Sequence, residues 1–239
     1  MPTVVVTGAS QGIGRAIAEG FARECAGASN AARLALLARS EEKLEHVAAA
    51  CRDAGAAEAA ALPCDVTDDE AVFDAAEAVR ERFGEPAVVV SNAGRFEPGA
   101  LLNVAPEQFR RQVSVNLTSA FLVTKAFLPG MVEQGRGHLF YVASIAARVA
   151  YAGGAAYGAA KAGLANLAGV AREETKREGV RVTTLLPGAT RTPSWEGTDR
   201  PDERFMPPAD VAEALLSAWR LSERSVVEEI VLRPQEGDI

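Results

Sequence analysis

Tyr157 and Lys161, in the run Tyr157-Gly158-Ala159-Ala160-Lys161, are the residues of this sequence best suited to acid–base chemistry. Four residues apart on a helix, a phenol and an ammonium project from one face and can meet. A free phenol titrates near pH ~10 and works poorly as an acid at neutrality, but a nearby cation favours the phenolate and lowers that value. Tyr157 could then give a proton to a carbonyl oxygen during reduction, or take one from an alcohol during oxidation. Taken alone, this spacing is common on helices, where such a pair is usually exposed and idle. Ser144, in Val142-Ala143-Ser144-Ile145, adds a hydroxyl able to hydrogen-bond the same substrate oxygen and hold it for transfer.

A second cluster lies near the start of the chain. Thr7-Gly8-Ala9-Ser10-Gln11-Gly12-Ile13-Gly14 follows an apolar run and opens into a helical pattern. Glycine permits sharp turning and close backbone approach, and the free amides and positive dipole of a helix start favour a pyrophosphate. Gly8, Gly12 and Gly14, with Ser10, Gln11 and Ile13 between them, are therefore expected to face a dinucleotide. Their G-x-x-x-G-x-G spacing is one residue looser than the common G-x-G-x-x-G form. After the second apolar run the sequence reads Leu37-Ala38-Arg39-Ser40, where NAD-binding domains usually place an acid for the ribose hydroxyls. Without that acid, Arg39 offers a guanidinium suited to a 2′-phosphate, which favours NADP(H) over NAD(H). A solvated surface arginine is the alternative.

Elements that would position these residues alternate along the chain. Short β-branched and aliphatic runs at residues 3–7, 33–37, 59–62, 87–91, 138–142, 180–186 and 226–232 read as strands. Helical spacing of apolar residues marks 14–24, 41–54, 69–83 and 106–132. Asp68 and Ala105-Pro106-Glu107 supply helix-start chemistry. The rhythm predicts an α/β fold: a Rossmann-like, doubly wound parallel sheet of about seven strands, helices on both faces, in a single domain over residues 1–239. Residues 193–208 mix Pro, Gly and charge with Trp195 and Phe205 and form a candidate substrate lid.

With these motifs in place, almost the whole chain resembles the short-chain dehydrogenase/reductase family. The resemblance implies that Gly8, Gly12 and Gly14 form the dinucleotide turn, that Asp65-Val66 contact the adenine, and that Asn92-Ala93-Gly94 represent the family's N-A-G motif. Ser91 stands where the family more often has a further Asn, and Gln11 where many NADP-preferring relatives carry a basic residue. Asn116, in Ser114-Val115-Asn116-Leu117, matches the family's catalytic Asn, which supports a water-linked proton path to the lysine. Read by itself, a mid-helix Asn is more often a local backbone bonder. Pro187, Gly188, Thr190 and Thr192 match the P-G-x-x-x-T segment that holds the nicotinamide end. The mechanism implied is hydride transfer to a substrate carbonyl, with Tyr157 as proton donor, Lys161 tuning it and contacting the nicotinamide ribose, and Ser144 orienting the oxygen.

Substrate identity is less legible. Arg95, Phe96, the stretch Ile145 to Tyr151 with Arg148 in it, and Trp195 are candidate pocket walls, and Trp195 could stack on a flat ring; packing or facing solvent is the alternative for each. The stretch 25–32 and the tail Val226 to Pro234 look similar to bacterial sepiapterin-reductase-like members of the family, which implies a pterin side-chain carbonyl. A 3-oxoacyl-thioester or other small-ketone reductase shares the same core. A non-catalytic dinucleotide sensor is the alternative of a different class, and the intact Asn116, Ser144, Tyr157 and Lys161 set speaks against it.

Of the 239 residues, 48% are hydrophobic and 24% charged, which suits a folded globular chain. A net charge of -7 argues against nucleic acid as a partner. Cys25, Cys51 and Cys64 lack close pairing and read as reduced structural thiols, and His46 and His138 are too far apart for a metal site. With no export signal or membrane-spanning run legible, a cytoplasmic location is expected. Small-residue helical stretches around 153–169 and 120–127 are expected to pack across the interface of a homodimer or homotetramer.

Overall fold

Seven strands, β1 (Thr3–Thr7), β2 (Arg33–Ala38), β3 (Glu58–Pro63), β4 (Val88–Ser91), β5 (Gly137–Val142), β6 (Val180–Pro187) and β7 (Glu229–Leu232), form one sheet. The architecture comes from a computed structural model that describes residues 1–27 and 30–238. Every pairing is parallel, in the order β3-β2-β1-β4-β5-β6-β7. Val4, Val5 and Val6 are fully buried because helices cover both faces, which explains why the central strands read as unbroken apolar runs.

Alternate strand residues feed two cores. Val4, Val6, Leu34 and Leu36 pack with Ile17 and Phe21 of α1 (Gly12–Glu24), Leu44 of α2 (Glu41–Asp53) and Leu215 of α7 (Pro208–Trp219). On the opposite face, Val5, Leu37, Val89 and Leu139 pack with Val72 and Val79 of α3 (Asp69–Phe83), Val123 and Phe127 of α5 (Ser119–Gln134), and Leu164 of α6 (Ala155–Thr175). Strand order reverses between β1 and β4, so a crevice opens at the carboxyl ends of the strands there.

Local chemistry sets several boundaries. Ser40 caps α2 by accepting from the Lys43 N–H, Asp68 caps α3 by accepting from the Ala71 N–H, and Pro106 is the first residue of α4 (Pro106–Val113). The stretch 106–132, expected as one helix, is instead interrupted by a π turn over Ser114–Thr118, where the Ser119 N–H reaches back to Ser114 O. A π turn inserts one residue without disturbing the apolar pattern enough to be read, and such insertions cluster at functional sites. β7 is shorter than expected: the carbonyls of Val227 and Glu228 instead accept from the Thr183 hydroxyl (2.6 Å) and the Thr184 N–H (2.9 Å).

The helical run Pro106–Gln134 is long and apolar enough to cross a bilayer by length and composition alone. Here its buried side chains cover the sheet. Within the stretch 25–32, Ala28 and Ser29 lie outside the described residues.

Candidate active site

A cavity of about 600 Å³ occupies the crevice at the carboxyl ends of the strands. Gly8 and Gly12 adopt left-handed conformations (φ 65° and 58°) that other residues avoid. A Cβ on Gly14 would lie 2.4 Å from Gly8 O and 2.5 Å from Asn92 Nδ2, so glycine there allows the turn to close against the N-A-G strand end. Asn92 Nδ2 donates to Thr7 O at 2.9 Å, and the Thr7 hydroxyl accepts from the Asn92 and Ala93 N–H groups at 3.0 Å. These bonds tie the end of β1 to the end of β4. Gly8, Ser10, Gln11, Gly12 and Ile13 line the cavity, with Gly14 packed behind them.

At one end of the cavity stand Arg39, Ser40, Lys43, Asp65 and Val66. Asp65 accepts from both the N–H and the hydroxyl of Thr67, and these bonds, led by the backbone one, hold its carboxyl below the ordinary range. Lys43 was not singled out from the sequence. Its signal was its place in the first turn of α2, one helical turn after Arg39.

Reactive side chains collect at the ends of β4 and β5. Lys161, 3% exposed, donates from Nζ to Val142 O at 2.9 Å, and Nζ lies 5.7 Å from the centre of the Tyr157 ring. Burial pushes the ammonium down to about 8. Tyr157 is pushed up to about 12 by burial first; a hydrogen bond with Ser144 works the other way. The expectation that Lys161 would lower the Tyr157 value is therefore corrected: desolvation of the phenol dominates, and Tyr157 stays protonated at neutral pH. Ser144, at the end of β5, accepts from the Ala146 N–H and donates to Pro187 O at 3.4 Å.

Asn116 sits inside the π turn, 1% exposed. Its Oδ1 accepts from the Arg95 N–H at 3.1 Å, and its Nδ2 donates to Arg95 O at 2.8 Å and Gln112 O at 3.0 Å. It is thus a backbone bonder, yet one placed beside the reacting groups: a Cβ on Gly94 would lie 2.8 Å from Asn116 Oδ1 and 3.3 Å from Lys161 Nζ.

The segment after β6 closes the cavity. Pro187, Gly188, Thr190 and Thr192 all line it, the Thr190 hydroxyl donates to Gly188 O at 3.0 Å, and Thr192 Cγ2 would lie 3.2 Å from a Cβ on Gly12. At the mouth, the Phe96 ring meets Tyr157 edge-on at 5.1 Å, with Tyr151 at 6.4 Å and Trp195 at 6.1 Å, and Trp195 in turn packs on Phe205. Arg95 and Ile145 also line it. Arg148 is instead drawn outward into an ion pair with Glu229. Asp238, from the tail, reaches the cavity, and no sequence signal marked it.

A cradle for a dinucleotide at a sheet reversal, joined to a Ser, Tyr and Lys at the ends of the neighbouring strands, defines an oxidoreductase site. The chain belongs to the short-chain dehydrogenase family, whose model matches residues 2–203. It is 36% identical to a sepiapterin reductase of Chlorobaculum tepidum, over 99% of this chain and 97% of that protein. Among solved structures it resembles an alcohol dehydrogenase of the archaeon Thermococcus sibiricus complexed with 5-hydroxy-NADP, at a TM-score of 0.89 and 32% identity, covering 98% of this chain and 97% of that one. A metagenomic short-chain oxidoreductase in complex with NADP gives a TM-score of 0.84 at 33% identity, covering 98% and 97%.

Proposed function

We propose that this protein is an NADP(H)-dependent reductase that converts a small-molecule carbonyl to an alcohol. The carrying observation is that Ser144, Tyr157 and a buried Lys161 converge in the same cavity as the glycine cradle. The fit to a dinucleotide rests on the cradle itself, in which the left-handed turns at Gly8 and Gly12 bring the start of α1 to the cavity, and a helix start offers its free N–H groups to a pyrophosphate. When bound, the cofactor supplies the hydride. Arg39 and Lys43, with the N-terminus of α2 between them, would hold a 2′-phosphate, and Asp65 and Val66 the adenine. Asn92, Ala93 and Gly94 line the middle of the site, and Pro187, Gly188, Thr190 and Thr192 the nicotinamide end.

Ser144 orients the substrate oxygen. Tyr157, held in its protonated form by burial, gives that oxygen its proton. Lys161 contributes positive charge beside the developing phenolate, and Asn116 keeps the 94–95 backbone in place for proton exchange. The chain acts as a single domain in which residues 193–208 serve as a lid, fastened at one end by the Thr190–Met206 bridge and carrying Trp195 over the mouth.

The aromatic mouth formed by Phe96, Tyr151 and Trp195 favours a flat substrate ring. Together with the likeness to a sepiapterin reductase, this supports a pterin side-chain carbonyl as substrate. Buried free thiols at Cys25, Cys51 and Cys64 suit a reducing compartment, the cytoplasm. Phe109 and Phe121, on α4 and α5, and Val170 on α6 are exposed and suit a homodimer or homotetramer interface, which light scattering would read. The test of function is NADPH consumption with sepiapterin, diketones, quinones and acetoacetyl thioesters. Turnover, highest with a ring-bearing ketone, is expected; tight NADPH binding with no turnover of any would mark a sensor instead.

A further inference from the structure

Gln112 is the one residue of α4 that is buried, at 1% exposure, and it is polar. A buried carboxamide without partners would cost about 1–3 kcal/mol, so its partners show what it is for. In one orientation of the carboxamide its oxygen accepts from Asn116 Nδ2 at 3.1 Å; in the swapped orientation, which pairs donors with acceptors on the loop, its nitrogen donates to Arg95 O at 2.9 Å and its oxygen accepts from the Glu97 N–H at 3.1 Å. Those two groups belong to the peptide bonds on either side of Phe96. One turn later, Asn116 grips the Arg95 N–H and C=O from the same side.

We propose that Gln112 is a positioning residue: by fixing both peptides that flank Phe96, it sets the angle at which that ring stands over Tyr157 and so the fit of the substrate. Gln112 does not itself line the cavity, whereas Phe96 contacts three of its aromatic walls, Tyr151, Tyr157 and Trp195. An exposed ion pair between Arg111 and Glu97 (3.1 Å) also touches this loop, but being solvated it adds little. On this loop the Asn116 bonds reach Arg95 and stop short of Glu97. Among the described residues only Gln112 bonds the Glu97 backbone, so its loss frees the peptide plane after the ring while leaving the one before it tethered.

The kinetic consequence rests on the reductase reading; the structural one does not. Gln112→Met keeps the length and removes the hydrogen bonds. Relative to the unsubstituted protein, KM for a ring-bearing ketone is expected to rise about tenfold, kcat to change less than about threefold, and NADPH affinity to stay within about twofold. Hydrogen exchange at the Glu97 amide should quicken by about tenfold or more. In a cycle with Phe96→Leu, the KM effects should fail to add, because both act through one ring. Gln112→Asn, a shorter amide that stays polar, serves if the Met variant does not fold, and should show the same KM and exchange changes. An unchanged Glu97 exchange rate, or additive KM effects, overturns the positioning role. Absence of ketone turnover by the unsubstituted protein overturns the reductase reading instead, and the exchange measurement still decides the role of Gln112.

Discussion

Replacing Lys161 with Met should make the cofactor-free protein more stable while removing its activity. The ammonium is 3% exposed, and burial pushes it from 10.5 down to about 8. Each pKa unit is worth about 1.4 kcal/mol, so holding this charge in the native state at neutral pH costs about 3 kcal/mol. Met fills a similar volume without a charge. It also abandons the bond to Val142 O, which returns about 1 kcal/mol of the gain. A net stabilisation of about 2 kcal/mol corresponds to roughly 4–8 °C for a chain of this size.

The pH dependence gives the sharper reading. Between about pH 8 and 10.5 the folded protein has released the Lys161 proton while the unfolded chain still holds it, so stability of the unsubstituted protein rises with pH over that window. Above the window the penalty is gone. Thermal unfolding of both proteins without cofactor, at neutral pH and near pH ~10, should therefore show a gap that narrows as pH rises. A Met variant less stable at neutral pH, or a gap indifferent to pH, would refute the account of Lys161 as a charge kept for chemistry at the expense of stability.

Arg39→Asp should lower the ratio of kcat/KM for NADPH over NADH by roughly 10–100-fold, the worth of a charge-assisted phosphate contact; an unchanged ratio would make Arg39 a solvated surface residue. Gly14→Ala places a methyl 2.4 Å from Gly8 O and should weaken NADPH binding by more than about tenfold, measured by NADPH fluorescence titration. His138 is buried, its Nε2 bonded to Thr183 and its Nδ1 without a partner, and burial pushes it down to about 2. Since the unfolded chain takes up that proton below about pH 6.5 and the folded one resists it, stability should fall as pH drops below that value. His138→Leu should flatten this acid limb in chemical-denaturation measurements, and an unaltered slope would rule the residue out as its source.

Much of this was legible because local chemistry and tertiary demand agree. The valines of β1 and β4, the Asp68 cap and the glycine turn each say locally what the sheet needs globally. Tyr157, Lys161 and Ser144 stood out through the family resemblance that sets their intervals, and the fold brings all three to one cavity. The π turn around Asn116 was not legible, since a one-residue insertion leaves helical spacing nearly intact while rotating everything after it. Gln112 escaped notice because a lone polar residue on an otherwise exposed helix looks solvated until its partners across the loop are known. The pKa of Tyr157 failed in a third way: spacing predicts a neighbouring cation, but only packing shows the loss of water around the phenol that pushes its value up. Asp238 reached the site from a tail whose path no pattern encodes.

Tyr157→Phe, assayed for NADPH-dependent ketone reduction alongside NADPH binding, bears most directly on the central claim. It removes one hydroxyl and little else. A protonated phenol acting as the proton donor predicts a fall in kcat of about 10²–10⁴-fold with NADPH affinity nearly intact. Reduction at close to the original rate by the Phe variant would contradict it.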